Sequence, residues 1–160
     1  MISSRKKEVT PEKALIRLEE LCVRAERCEA EVRTKLFAWH ISQRDADAIV
    51  ESLISRRFVD DSRYAAAFVR DKYRFSRWGR RRITMALRQK NIDSDTIDKA
   101  LEQIDDDEYN EILIHLIKAK SRTMEHPLSY DDRNRLYRFG ITRGFEPQLV
   151  AKAVKGLVQI

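Results

Sequence analysis

The residues most able to do chemistry lie between Arg70 and Lys90, where nine Lys/Arg face a single acid, Asp71, giving a local charge of +8. Seven of the nine are arginines: Arg70, Arg74, Arg77, Arg80, Arg81, Arg82 and Arg88. A guanidinium offers a planar fork of donors that matches a carboxylate or a phosphate. Tyr73, Phe75 and Trp78 are interleaved with these cations. A solvated helix face needs no aromatic rings, so the pattern predicts a polyanionic partner, either nucleic acid or an acidic protein groove. The next block, Asn91 to Glu111, reverses the sign, with nine Asp/Glu against Lys99 alone. The chain's net charge of +6 therefore says less than its placement.

Other chemistries find little support. His40, His115 and His126 lie far apart, and none has a carboxylate and a cysteine at metal-ligand spacing. No glycine-rich phosphate loop is present. Asp105, Asp106, Asp107 and Glu108 are acidic enough for a cation, but a solvated helix start explains them more simply. Cys22 and Cys28 fit no zinc spacing and read as free thiols of a reducing compartment. The expectation is a protein that is not an enzyme and has neither metal nor cofactor. The N-terminal Met1 to Lys7 lacks the apolar stretch of a signal peptide, and no run approaches a membrane span, which predicts a cytoplasmic protein.

The elements that position the basic block are helices. Only 4 Gly and 3 Pro occur in 160 residues, which favours long helices and short turns. Thr10 can cap a first helix with Pro11 at its first position, followed by the stripe Ala14, Leu15, Leu18, Leu21, Cys22 and Ala25. A second helix runs from about Cys28 to His40, and Ser42 with Asp45 opens a third that carries Ala46, Ile49, Val50, Leu53 and Ile54. Tyr64, Ala65, Phe68, Val69 and Tyr73 define a fourth, which Gly79 ends. A short fifth buries Ile83 and Leu87, so Arg80, Arg81 and Arg88 are expected to project outward. Positive charge at a helix start opposes the helix dipole, a cost that points to a partner. Asp93 caps a sixth helix. Tyr109 to Ile117 mark a seventh, and a looser stretch follows from Ser121 to Leu128. Ser129 caps an eighth helix and Pro147 begins a ninth.

The sets repeat. A shift of 51 residues places Leu36 on Leu87, Ile41 on Ile92, Val50 on Leu101 and Leu53 on Ile104. A further 53 places Ile92 on Phe145, Ile97 on Val150, Ala100 on Ala153, Leu101 on Val154 and Ile104 on Leu157. The fold predicted is all-α: three tandem three-helix modules, at 10–58, 59–104 and 105–160, forming an elongated, curved helical array. Modules this small bury little surface alone and lean on their neighbours. Nothing in the pattern demands a dimer.

The segment Phe58-Val59-Asp60-Asp61-Ser62-Arg63-Tyr64-Ala65, followed by Phe68-Val69-Arg70, Trp78-Gly79 and Arg82-Ile83, resembles the signature of the RecX regulatory family. Glu31 to Leu36 and Leu87 to Ile92 agree with it, and the likeness spans about 12–158. Two positions depart from it: Cys28 stands where a capping Ser is expected, and Gly140 where the other sets have Leu36 and Leu87. Each signature residue also has a structural reading. Asp60 or Asp61 caps the fourth helix, Arg63 pairs with Asp60, Tyr64 and Phe68 share a buried face, and Gly79 permits a tight turn.

The resemblance implies a regulator that binds RecA recombinase, particularly its filament on single-stranded DNA, and lowers its ATPase and strand-exchange activity. The seven arginines would face acidic RecA surface, DNA phosphates, or both. Two other readings stand beside it. One is a direct nucleic-acid-binding protein of helix-turn-helix type, whose binding to naked DNA would fall steeply with salt; weak direct DNA binding is also compatible with the RecA reading itself. The other is a protein-binding scaffold that uses the acidic block as readily as the basic one.

Overall fold

The computed structural model describes residues 8–157; the Met1 to Lys7 segment read above for its lack of a signal peptide lies outside them, as do 158–160. The described residues form nine helices and no strands: α1 (Pro11–Arg24), α2 (Glu29–Ala38), α3 (Gln43–Ser55), α4 (Asp61–Arg74), α5 (Arg80–Gln89), α6 (Ser94–Leu101), α7 (Asp106–Ser121), α8 (Tyr130–Thr142) and α9 (Pro147–Leu157). None is long and apolar enough to cross a membrane. The all-helical architecture expected from the apolar periodicity is the one observed.

The chain divides into two compact units, Met1–Tyr64 and Ala65–Ile160. In the first, Ala14, Leu18, Val32, Leu36, Ala46, Ile49, Val50, Leu53 and Val59 make one apolar core. In the second, the fully enclosed side chains include Tyr73, Ile83, Leu87, Ile97, Tyr109, Leu113, Ile117, Leu136 and Phe145. Removing a side chain of this size from water contributes about 1.5–3 kcal/mol, which is what holds such short helices in place.

One helix ending occurs four times among the described residues. After α3, Arg57 has φ 61° and the Phe58 N–H donates to the Leu53 carbonyl at 2.9 Å; the other three fall in register with the repeat. His40 (φ 58°), Asn91 (φ 57°) and Gly144 (φ 97°) are all left-handed and each follows the last turn of a helix. The next residue in each case closes the end with a long backbone bond: Ile41 N–H to the Leu36 carbonyl at 3.0 Å, Ile92 to Leu87 at 3.2 Å, Phe145 to Gly140 at 3.2 Å. This is the Schellman ending, in which the left-handed residue turns the chain and the apolar residue after it seals the helix end. The shifts of 51 and 53 residues bring these positions into register, so the repeat read from side-chain types is also a repeat of backbone geometry.

The caps largely follow expectation. The side chains of Thr10, Ser42, Asp93, Asp105 and Ser129 accept N–H groups in the first turns of their helices. Asp60, not Asp61, caps α4, accepting the Arg63 N–H at 3.0 Å. Asp61 does something the sequence did not suggest: its Oδ1 accepts the Glu29 N–H at 2.9 Å. Cys28 makes no side-chain cap bond for α2, so the carboxylate of Asp61 satisfies an end that the thiol leaves open. Arg63 also departs from expectation. It reaches Glu26 at 2.7 Å and the carbonyl of Arg57 at 3.0 Å, instead of pairing with Asp60.

Gly79 lies in the tight turn between α4 and α5 as expected, but for a different reason. Its φ is −79°, within reach of any residue, so backbone freedom is not what it supplies. It supplies room: a Cβ there would lie 2.2 Å from the carbonyl carbon of Gly144. Gly140 has a similar use, since a Cβ on it would meet the Val150 side chain at 2.6 Å, and its absence lets α8 and α9 close together.

Candidate partner-binding surface

All seven arginines of the basic block fall on α4, on α5 and on the turn between them, within the second unit. The structure sorts them by what neutralises them. Arg74 Nε donates to Glu108 at 3.1 Å, and this carboxylate, with the Tyr73 hydroxyl, raises the arginine's pKa. Arg80 is tied more firmly. Its guanidinium meets Asp106 at 2.6 Å and Glu146 at 3.0 Å, and it lies 4.1 Å above the Tyr109 ring.

Arg80 was expected to project outward, and it does not. Its side chain is only 27% exposed. The reason lies in the surroundings of the first turn of α5. The Tyr109 hydroxyl accepts the Arg80 N–H at 2.9 Å and donates to Glu146 at 2.6 Å, so arginine, tyrosine and glutamate form one closed network. Burial and the Glu146 carboxylate together push the Tyr109 phenol above its ordinary range. The helix start that looked electrostatically costly is compensated by acids from α7 and from the turn before α9.

The other five arginines, Arg70, Arg77, Arg81, Arg82 and Arg88, are exposed and have no carboxylate within ion-pair distance among the described residues. Arg82 lies 4.2 Å from the Trp78 ring centre, and Lys72 Nζ lies 4.5 Å from the same ring. These are cation–π contacts, in which the indole's electron-rich faces hold two positive charges close together. Phe68 meets Trp78 edge-on with ring centres 6.3 Å apart. Phe75, in the turn after α4, is 80% exposed, and Met85 on the outer side of α5 is 62% exposed.

Arg143 belongs to this surface, although the basic block of the sequence ends 53 residues before it. Its Nη2 donates to the carbonyls of Ser76 and Arg77, the second at 3.2 Å. Burial, together with the charges of Arg82 and Arg77, lowers its pKa. No local pattern marked it. The usable signal was the repeat, which sets Gly144 in register with Asn91 and so places Arg143 beside a helix-ending turn. The same holds for Asp106, Glu108 and Glu146, whose partnership with the arginines spans 26 to 66 residues. As for metals, the described residues bring no three His, Cys, Asp or Glu side chains together in a way that could hold an ion, and Asp105 is occupied as the cap of α7.

Fold and surface together define an all-helical protein of tandem helical modules that presents unpaired arginines beside exposed aromatic rings. The family model described as RecX, second three-helix domain, matches residues 60–101. Regulatory protein RecX of Clostridium botulinum (strain Eklund 17B / Type B) is 30% identical over 132 residues, which cover 79% of this chain and 60% of that protein. Regulatory protein RecX of Chromobacterium violaceum is 28% identical over 144 residues, 88% of each chain. The crystal structure of RecX from Lactobacillus salivarius shares the fold with a TM-score of 0.81 at 23% identity, over 94% of this chain and 97% of that one.

The chain belongs to the RecX family. It spans about three fifths of the length of the clostridial relatives it matches, 60% and 62% for two of them.

Proposed function

We propose that this protein regulates RecA recombinase: it binds RecA and the RecA filament on single-stranded DNA, and lowers ATP hydrolysis and strand exchange in the cytoplasm. It would thereby modulate recombination and DNA repair without catalysing a reaction itself. The observation that carries this reading is the family membership, joined to a surface on which five arginines have no acid to neutralise them. Three tandem helical modules, at 10–58, 59–104 and 105–160, would bridge neighbouring subunits of a repeating partner, each filament subunit offering the same acidic or phosphate groups.

Within the basic block the division of labour follows the ion pairs. Arg70, Arg77, Arg81, Arg82 and Arg88 would make the contacts, while Arg74 and Arg80, already paired, fix the shape of the surface they belong to. Charge reversal at Arg81 and Arg82 tests the assignment. Strand-exchange inhibition is expected to weaken while helicity, read by circular dichroism, stays the same. Full inhibition by a folded variant would remove these residues from the interface.

A further inference from the structure

Two ligand chemistries could satisfy the unpaired arginines, a protein carboxylate or a nucleic-acid phosphate, and one corner of the surface distinguishes them. Here the turn before α5 lies against the turn between α8 and α9. The Gly79 N–H donates to the Arg143 carbonyl at 2.8 Å and the Arg81 N–H to the Gly144 carbonyl at 3.0 Å. A Cβ on Gly144 would sit 2.4 Å from Cβ of Arg82, so the Arg82 backbone is pressed against that turn. Arg143 reaches back over it to the Ser76 and Arg77 carbonyls. The seam therefore gathers Arg77, Arg82 and Arg143 from sequence positions up to 66 residues apart.

The cluster is uncompensated. No carboxylate among the described residues lies within ion-pair distance of any of the three. Arg143 Nε is buried without a hydrogen-bond partner, and the charges acting on this guanidinium are those of two further arginines. Lys72 adds a fourth cation across the Trp78 ring. By contrast Arg74 and Arg80, in the same segment, each have their own acid. A fold that supplies acids to two arginines and withholds them from three neighbours leaves a place for a ligand's negative charge.

We propose that Arg77, Arg82 and Arg143 form one anion-binding patch whose ligand is the phosphodiester backbone of single-stranded nucleic acid. The exposed Phe75 ring, two residues before Arg77, favours this ligand over an acidic protein surface, because an unstacked base can lie on an aromatic ring while its phosphate meets the cations. The patch deepens the filament reading above and rests on it only for its biological setting. The Arg–Trp78 contact also supplies a reporter.

The test uses the full chain carrying Trp39→Phe, which leaves Trp78 as its single tryptophan. Its emission is followed during titration with an oligothymidylate of about 16 nucleotides, within the span an ordinary single-strand site covers. Polyglutamate is the comparison ligand. The oligonucleotide is expected to change Trp78 emission and polyglutamate to leave it unmoved. Arg77→Gln with Arg82→Gln should lower affinity at least about tenfold, and flatten the slope of log affinity against log salt by about 1.4, at roughly 0.7 per phosphate contact. Arg143→Gln, measured well below its melting temperature, should lower affinity about tenfold by itself. Unchanged affinity in either variant, or a response to polyglutamate in place of the oligonucleotide, would overturn the proposal. RecA is absent from this titration, so failure here leaves filament regulation standing. If the unsubstituted protein binds the oligonucleotide as expected but never inhibits the filament, the filament reading alone is removed.

Discussion

Gly79 and Gly144 meet backbone to backbone, so closely that a Cβ on Gly79 would lie 2.2 Å from the Gly144 carbonyl carbon. Ordinary contact begins more than an ångström further out, and backbone on both sides leaves nothing flexible to give way. The contact joins the turn before α5 to the turn between α8 and α9, and the basic surface is assembled on it. Gly79→Ala is therefore expected to cost about 3 kcal/mol, lowering the thermal midpoint by roughly 6–12 °C in a chain of this size. Gly156→Ala is the control. A Cβ there meets nothing within 4 Å, so helix propensity alone should stabilise the chain slightly, by about 0.5 kcal/mol. A thermal melt with no loss for Gly79→Ala would mean the seam is not close-packed.

The arginines of one segment should separate in the same assay. Arg80→Ala leaves Glu146, only 18% exposed, without its guanidinium, and opens the Tyr109 network. We expect a loss of about 2 kcal/mol. Arg82→Ala removes an exposed side chain from the face of Trp78 and should change stability by about 0.5 kcal/mol or less. Equal losses for the two variants would contradict the division into paired and unpaired cations.

The helices and the repeat were legible because their cause is local. Periodic apolar residues such as Ala14 and Leu18, or Ile83 and Leu87, dictate a helix whatever surrounds them. The register of Ile41, Ile92 and Phe145 is legible for the same reason, and the recurring turn falls on it. What escaped was long-range. Nothing near Arg80 in sequence says that Tyr109, Asp106 and Glu146 will enclose it, so charge counting alone sent it to the surface with its neighbours. Gly79 was read by its own freedom when its role depends on Gly144. Asp60 and Asp61 are equal candidates for the α4 cap by sequence; Asp60 takes it, and Asp61 serves α2 because Cys28 leaves that end unsatisfied. The basic block indicated the surface, and tertiary packing selected which of its residues remain available.

The two thiols should react differently. Cys28 is fully buried, and desolvation pushes its thiol up to about 11, well above its ordinary value, while Cys22 is half-buried with a smaller rise of the same origin. The thiolate is the nucleophile, so both should be slow near pH 8. Alkylation followed by mass spectrometry is expected to label Cys22 first and Cys28 only as the chain unfolds. Rapid labelling of Cys28 in the folded protein would show that the α2 start opens readily.

Filament regulation is the central claim, and single-strand-DNA-stimulated ATP hydrolysis by the cognate RecA tests it most directly. This protein is added below stoichiometric amounts, first at limiting DNA and then with DNA in excess. Hydrolysis is expected to fall at less than one molecule per RecA and to stay low when free DNA is abundant, because the target is the assembled filament. Hydrolysis that recovers fully with added DNA, or that never falls at any ratio, would contradict the claim.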